Sequence, residues 1–247
     1  MNHGKILIDV QDVWKSFGDH HVLTGVSMQV REGSSDVILG RSGIGKSVLL
    51  KSIVGLLTPE RGSIEVMGQQ VMGMRPSDLN KLRKNFGYVF QYAALYDSLT
   101  VRENLEFPLR KHTDAGEEEI EERVFEQLRL VGLEASVEKM PSELSGGMKK
   151  RIGLARAIIT RPAIVLYDEP TAGLDPITAR EISELILSLE EQFGITSITV
   201  THDLECARLI AHRIHILENG CFQVTGTFDE LKRSADPTTK AFFQVVT

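Results

Sequence analysis

The sequence predicts an α/β fold with a mainly parallel core sheet, antiparallel β strands at the N-terminus and an inserted α-helical subdomain. Three observations lead to this prediction. Short apolar runs alternate with helical patterns in both outer parts of the chain, as parallel strands with crossover helices require. A glycine-rich segment separates one of these runs from the helical pattern that follows it. Between residues 92 and 159, helical periodicity replaces strand character.

The bulk composition is that of a single globular domain. The chain has 247 residues, of which 42% are hydrophobic and 25% charged. The formal net charge of −6 argues against nucleic acid as the main partner. Cys206 and Cys221 lack metal-ligand spacing and suit a reducing, cytosolic compartment. Apolar runs of membrane-spanning length and an apolar signal core are both missing. If the protein acts at a membrane, we therefore expect it to dock on another protein.

The N-terminal third is expected to form mostly strands. Its apolar runs are rich in β-branched residues, and Gly-Asp, Glu-Gly and Pro-containing turn signals interrupt them. The predicted strands cover residues 6–10, 13–17, 26–30, 37–39, 62–66 and 87–90.

The helical block contains one strongly amphipathic segment. Asp114 and the glutamates at 117–119 suit a helix N-terminus, because carboxylates there meet the positive end of the helix dipole. An apolar stripe at helical spacing follows. Its members are Ile120, Val124, Leu128 and Val131.

Strand character returns after residue 160. Asn219-Gly220 predicts a tight turn between the last two strands. Thr227 and Glu230 have the spacing of a capping box, which predicts a final helix. The predicted strands of this part cover residues 163–167, 197–201, 214–217 and 221–225.

Residues 40–47 fit the pattern G-x-x-x-x-G-K-[ST], between an apolar run and a helical pattern. Glycines let backbone N–H groups point at a phosphate, and the helix N-terminus favours an anion. Lys46 can reach β- and γ-phosphates, and the Ser47 hydroxyl can ligate Mg²⁺. An ordinary glycine-rich turn is the weaker alternative, given eight matching residues in this context. The predicted nucleotide-binding residues here are Gly40, Arg41, Ser42, Gly43, Ile44, Gly45, Lys46, Ser47 and Val48.

A second apolar run, residues 164–167, ends in Asp168 and Glu169. In phosphate-loop enzymes such an aspartate lies beside bound Mg²⁺, and Asp168 fits that role. Glu169 is the candidate general base for the attacking water. Two acids after a buried strand are a weak signal alone, and the upstream phosphate loop makes the catalytic interpretation the better one.

The segment Leu-Ser-Gly-Gly-Met-Lys-Lys-Arg at residues 144–151 resembles the LSGGQ signature of ATP-binding-cassette (ABC) ATPases. The start of a helix is again an anion site. The resemblance implies that this site faces the γ-phosphate of ATP bound by the opposite subunit of a head-to-tail homodimer. It also implies a P-loop NTPase fold, with a RecA-like core and β subdomain at 1–91 and 160–247 and a helical signature subdomain at 92–159. The signature residues assigned to nucleotide binding are Ser145, Gly146 and Gly147.

Four further positions match this family in order. The resemblance implies that Phe17 stacks on adenine and that Gln91, in the Q-loop, contacts Mg²⁺ and senses the transporter. It further implies that Asp175, in the D-loop, crosses the dimer interface and that His202 contacts the γ-phosphate. Catalysis is thus assigned to Lys46, Glu169 and His202, with ATP and Mg²⁺ as cofactors; the metal ligands are Ser47, Gln91 and Asp168.

Two residues depart from the family pattern. Met148 replaces the usual Gln of the signature, and Val48 follows Ser47 where many members carry Thr. Each change removes a side-chain contact but leaves the backbone donors, so we expect altered nucleotide affinity with activity retained.

Several tracts are similar to the Mla-type, Mce-associated lipid-transport ATPases: residues 107–113, 140–143, 168–177 and 235–243. The resemblance implies a peripheral subunit on the cytoplasmic face of a bacterial inner membrane. Its expected partners are a polytopic permease and an Mce-type lipid-binding subunit. The segment 92–99, with two Tyr and two Leu, is either a packed loop or a groove for a short helix of the permease.

Other functions remain open from the sequence. The ATPase of another importer, for example for amino acids, would carry the same motifs. A soluble ABC ATPase without a membrane partner is a second alternative, although the chain has only one phosphate loop and one signature. A GTPase switch has less support, because Asn80-Lys81 is not followed by the Asp that guanine recognition needs.

Overall fold

Two long antiparallel strands open the part of the chain that the computed structural model describes, residues 4–243. These are β1 (Ile6–Phe17) and β2 (His20–Arg31). The sequence predicted two strands where β1 is one, and the predicted break is a bulge at Asp12, whose φ is 46°. The Ser27 hydroxyl accepts from the Asp12 amide at 2.9 Å, so the irregular backbone is satisfied without ending the strand.

Across the described residues 4–243, the N-terminal sheet has four strands and the core sheet six. The first has the order β2-β1-β4-β5, and the second the order β10-β9-β3-β8-β7-β6. All core pairs are parallel except the β9–β10 hairpin, so the predicted mainly parallel sheet is confirmed. The remaining strands are β3 (Ser35–Leu39), β4 (Arg61–Val66), β5 (Gln69–Gln70), β6 (Phe86–Val89), β7 (Ile164–Asp168), β8 (Thr196–Thr201), β9 (Arg213–Glu218) and β10 (Cys221–Gly226).

Helices flank the core sheet and fill the predicted insertion. The helix Pro76–Arg83 was not predicted, because only Leu82 of its residues is buried and no apolar stripe marks it. The helices are α1 (Lys46–Ile53), α2 (Pro76–Arg83), α3 (Val101–His112), α4 (Glu117–Leu130), α5 (Gly146–Ile158), α6 (Pro176–Phe193), α7 (Leu204–Ile210), α8 (Phe228–Lys232) and α9 (Pro237–Phe243). Within residues 4–243, none of them combines the length and apolarity needed to cross a bilayer.

In the described part of the chain, three hydrophobic clusters hold these layers together. One joins the N-terminal sheet, α1 and one face of the core sheet, and a second packs α6 and α7 on the opposite face. The third lies among α3, α4 and α5 and contains the predicted stripe from Ile120 to Val131. The predicted division at residues 92 and 159 stays a prediction, because α5 also packs against β6.

A buried acid lies between α6 and the start of β3. Glu190 is 5% exposed and accepts a hydrogen bond from the Ser35 hydroxyl. Burial raises the pKa of Glu190 to about 7, and the Ser35 hydrogen bond opposes that rise. The folded chain therefore holds this proton more tightly than the unfolded chain, where the usual pKa is 4.5.

This raised pKa makes stability pH-dependent. The free energy of unfolding should fall as the pH rises from 4.5 to about 7 and stay level above. A shift of one pKa unit corresponds to about 1.4 kcal/mol. Relative to wild type, the free energy of unfolding of Glu190→Gln should therefore be up to about 3 kcal/mol higher at alkaline pH than it is at acidic pH. Urea unfolding at several pH values measures the difference. The exposed neighbour supplies the control, Glu191→Gln; parallel profiles for Glu190→Gln and wild type would contradict the account.

Candidate functional site

The loop at residues 40–47 joins the end of β3 to α1. Gly45 caps α1 with a φ of 111°, and a Cβ on it would lie 2.6 Å from Val22 Cγ1. A Cβ on Gly40 would lie 3.0 Å from the Leu217 carbonyl oxygen. Glycine is therefore required at both positions, by conformation at the first and by close approach at both. The loop therefore packs tightly against β2 and β9.

A cavity of about 340 Å³ opens beside this loop. It is lined by residues distant in sequence, from the carboxyl edge of the core sheet, where ligands bind in open α/β sheets, and from the first hairpin of the N-terminal sheet. Phe17, half exposed, belongs to this lining together with Glu169 and His202. The lining residues are Phe17, His20, Val22, Ser42, Gly43, Gly45, Lys46, Ser47, Val48, Gln91, Glu169 and His202.

Three predicted catalytic side chains form a connected group in this cavity. Lys46 Nζ lies 3.0 Å from Glu169 Oε1, and His202 Nδ1 lies 2.8 Å from Glu169 Oε2. Lys46 also donates to the carbonyl oxygens of Gly40 and Arg41, at 2.7 and 3.1 Å. Lys46 and Glu169 are buried, so their charges interact with little screening by solvent.

The predicted metal ligands offer oxygen donors at the same edge. Ser47 Oγ donates to Asp168 Oδ1 at 2.6 Å, and Tyr88 OH donates to Asp168 Oδ2 at 3.2 Å. Burial raises the pKa of Tyr88, and the Asp168 carboxylate adds to the rise. A hydroxyl, a carboxylate and the nearby Gln91 amide make a set of hard donors, which fits Mg²⁺.

Glu169 has an unusual backbone. Its φ is 52°, in the left-handed region that residues other than glycine seldom adopt. Its amide donates to the Val200 carbonyl at 2.9 Å, and its carbonyl accepts from Lys150 Nζ at 3.2 Å. Backbone strain of this kind persists only where the surroundings hold it, and such residues cluster at functional sites.

The signature and D-loop residues lie apart from this cavity. Ser145 caps α5, and its hydroxyl accepts from the Met148 amide at 3.3 Å. Asp175 caps α6 and accepts from the Ile177 and Thr178 amides, each at 3.1 Å. The cavity lining leaves out Ser145, Gly146, Gly147 and Asp175, as well as Gly40, Arg41, Ile44 and Asp168, which support it from the loop and the strand end.

Three neighbours of the site were missed from the sequence. Tyr88 bonds Asp168 from the adjacent strand, and His20 lines the cavity from the first hairpin. Lys150 is buried beneath Gln91 and Glu169. None stands at a recognisable spacing from the phosphate loop, so only the three-dimensional arrangement reveals them. The sole sequence signal was the paired lysines in the signature segment.

The site combines a phosphate loop at the carboxyl edge of a parallel sheet with two nearby acids, and an antiparallel sheet lies alongside. These features define a P-loop nucleotide hydrolase. The sequence profile described as "ABC transporter" matches residues 23–172. The chain belongs to this family, and it is an ABC ATPase.

Relatives and solved structures agree with this membership. "Probable ribonucleotide transport ATP-binding protein mkl" of Mycobacterium leprae is 40% identical over 96% of this chain and 68% of its own length. "Intermembrane phospholipid transport system ATP-binding protein MlaF" of Haemophilus influenzae is 40% identical, over 93% of this chain and 87% of its own. "Methionine import ATP-binding protein MetN" of Clostridium tetani is 38% identical, over 91% and 70%.

Among solved structures, the ATP-binding cassette MJ0796, in a dimeric post-hydrolysis state bound to ADP and Pi, superposes with a TM-score of 0.82. It is 33% identical to this chain, and the match covers 90% of this chain and 99% of that one. The predicted ABC-ATPase fold is thereby confirmed.

Proposed function

We propose that this ATPase is the energy-supplying subunit of a membrane transporter that moves phospholipids or related lipids between membranes of the bacterial envelope. The observation that carries the proposal is the 40% identity to MlaF, which spans 93% of this chain and 87% of that protein. The tracts outside the catalytic motifs, at residues 107–113 and 140–143, point the same way. In this proposal the chain works on the cytoplasmic face of the inner membrane.

Lys46, Glu169 and His202 carry the chemistry in this proposal. Lys46 binds the β- and γ-phosphates, and Glu169 accepts a proton from the attacking water. His202, hydrogen-bonded to Glu169, orients that carboxylate and contacts the γ-phosphate. Phe17 supplies an aromatic face for adenine.

Ser47, Asp168 and Gln91 would hold Mg²⁺. When bound, this ion neutralises charge on the phosphates. The Ser47–Asp168 hydrogen bond brings two of these oxygen donors to within 2.6 Å of each other. Tyr88 would keep the Asp168 carboxylate in place through its other oxygen.

The second half of each nucleotide site would come from a second copy of the chain. Ser145, Gly146, Gly147 and Asp175 lie outside the cavity that holds Lys46 and Glu169. A head-to-tail pair would bring the start of α5 of one copy over the phosphates bound by the other, where its amides and dipole favour anionic oxygens. The dimeric MJ0796 cassette supports this arrangement.

The permease would dock beside Gln91. Tyr92 is 86% exposed, and Tyr96 and Phe107 form an exposed aromatic pair with centroids 5.0 Å apart. Leu95 packs against the helical cluster, so the packed-loop interpretation holds for that residue. Exposed aromatic patches of this kind are typical of protein interfaces.

Tyr92→Asp should abolish co-purification of the permease with the tagged chain from detergent-solubilised membranes, because a charge at the patch is unfavourable in an apolar interface. ATP binding by the isolated subunit should be unchanged. Glu118→Gln, on the exposed face of α4, is the matched control and should keep the complex. A complex that assembles normally with Tyr92→Asp would contradict this docking site.

The same purification tests the cargo class. Mass spectrometry of the wild-type complex should find an Mce-type lipid-binding subunit and co-purified phospholipid. An amino-acid importer is the second candidate, favoured by the 38% identity to MetN. Finding a soluble amino-acid-binding partner in place of the lipid-binding subunit would support that candidate and reject lipid transport. Recovery of the chain with no membrane protein would favour a soluble ABC ATPase.

A further inference from the structure

Lys150 is a buried cation in the signature segment, and the family resemblance assigns it no role. It lies on the first half of α5 and is 6% exposed. Its ammonium donates to the backbone carbonyls of Gln91 and Glu169, the latter at 3.2 Å. A buried charge without acceptors is strongly unfavourable, so these two carbonyls account for its place.

The two acceptors belong to different loops. Gln91 comes two residues after β6 ends, and Glu169 comes directly after β7, the parallel neighbour of β6. A single ammonium can donate three hydrogen bonds, which lets it join both loops. It therefore links two of the chain segments whose side chains reach the nucleotide cavity.

The link matters most for Glu169 because of its left-handed backbone. Its amide donates to the Val200 carbonyl, and its carbonyl accepts from both Lys150 Nζ and the Ala172 amide, each at 3.2 Å. This conformation directs the carboxylate to Lys46 and His202. Without Lys150, the Glu169 carbonyl would keep one donor in place of two, and the residue would relax more readily toward an ordinary backbone and carry the carboxylate away.

A second cation anchors the Q-loop without touching Glu169. Arg156, six residues further along α5, donates to the Ala93 carbonyl at 2.8 Å. A Cβ on Gly153 would lie 3.1 Å from the Ala93 Cβ, so α5 packs closely on this loop. The loop therefore has support besides Lys150, which makes substitution of Lys150 compatible with folding.

We propose that Lys150 is a positioning residue for ATP hydrolysis. By donating to the Glu169 carbonyl, with the Gln91 carbonyl as its second acceptor, it fixes the position of the Glu169 carboxylate. The proposal rests on the proposed role of Glu169 as general base. Ser145 caps the helix that carries Lys150, so Lys150 also connects the signature to the proposed general base of the same chain.

Lys150→Met should lower kcat by roughly 10- to 100-fold, the usual effect of losing a residue that orients a catalytic group, and leave KM for ATP nearly unchanged. Lys150→Arg keeps the charge and donors and should retain an intermediate rate. Lys232→Met removes the same charge from an exposed position at the end of α8 and should keep the wild-type rate. A loss confined to KM, or equal losses in Lys232→Met and Lys150→Met, would overturn the proposal.

The decisive comparison repeats Lys150→Met in the Glu169→Gln background. If Lys150 acts through the Glu169 carboxylate, the second change should lower the residual rate by less than about threefold. The same 10- to 100-fold loss in both backgrounds would mean that Lys150 acts elsewhere and would reject the proposal. Normal turnover in Glu169→Gln alone would instead reject the role of Glu169 in the proposed function, which keeps the two failures distinct.

Discussion

Glu169→Gln is expected to slow ATP hydrolysis by roughly 10²–10⁴-fold, the usual contribution of a general base. The amide keeps the size of the carboxylate but cannot accept the proton of the attacking water. Glu169 Oε2 lies 2.8 Å from His202 Nδ1, and a Gln amide oxygen can keep that contact. Single-turnover hydrolysis of radiolabelled ATP measures the chemical step directly.

ATP affinity provides the control for this variant. Lys46 retains its hydrogen bonds to the Gly40 and Arg41 carbonyls, so the dissociation constant for ATP should change little. Glu184→Gln, on the exposed face of α6, should hydrolyse at the wild-type rate. If Glu169→Gln fails to bind ATP, Glu169 is a structural partner of Lys46, and the base would have to be sought at His202.

Ser145→Arg is expected to reduce steady-state turnover to near background while ATP binding persists. Ser145 is exposed at the start of α5, away from the cavity of its own chain, so the change leaves the Lys46 side of the site intact. In the proposed dimer the bulky cation would lie against the nucleotide held by the other copy and prevent closure. Steady-state phosphate release and nucleotide binding, measured on the same sample, separate the two effects.

Ser142→Arg is the matched control, since Ser142 is also exposed and lies three residues earlier in a short 3₁₀ turn. It should retain turnover. Normal hydrolysis by Ser145→Arg would mean that each chain completes its own site, and the shared-site proposal would fail.

The sequence predicted those parts of the site that a short continuous segment determines. Residues 40–47 need glycine where β3 meets α1, and that requirement is visible as a motif. The acids at 168 and 169 follow β7, and His202 follows β8. Their meeting depends on β7 and β8 being parallel neighbours, which the alternation of strands and helices indicated only in general terms.

Tertiary contacts determine the features of the fold and the site that the sequence did not predict. Strand β1 continues past Asp12 because Ser27 of β2 satisfies the bulged amide, a contact between positions 15 residues apart. Tyr88 and Lys150 reach the site from an adjacent strand and an inserted helix. The sequence left the segment after Gln91 as either a packed loop or a groove, yet Leu95 packs inward and Tyr92 is exposed, which only packing against the helical cluster could reveal.

The molecular mass of Glu169→Gln in solution tests the shared nucleotide site most directly. With ATP and Mg²⁺, light scattering should give twice the 27.5 kDa of the single chain, and with ADP the single-chain mass. The double variant Glu169→Gln/Ser145→Arg should stay at the single-chain mass even with ATP bound. A Glu169→Gln protein that binds ATP and remains a single chain, or a double variant that still pairs, would contradict a site built from two copies.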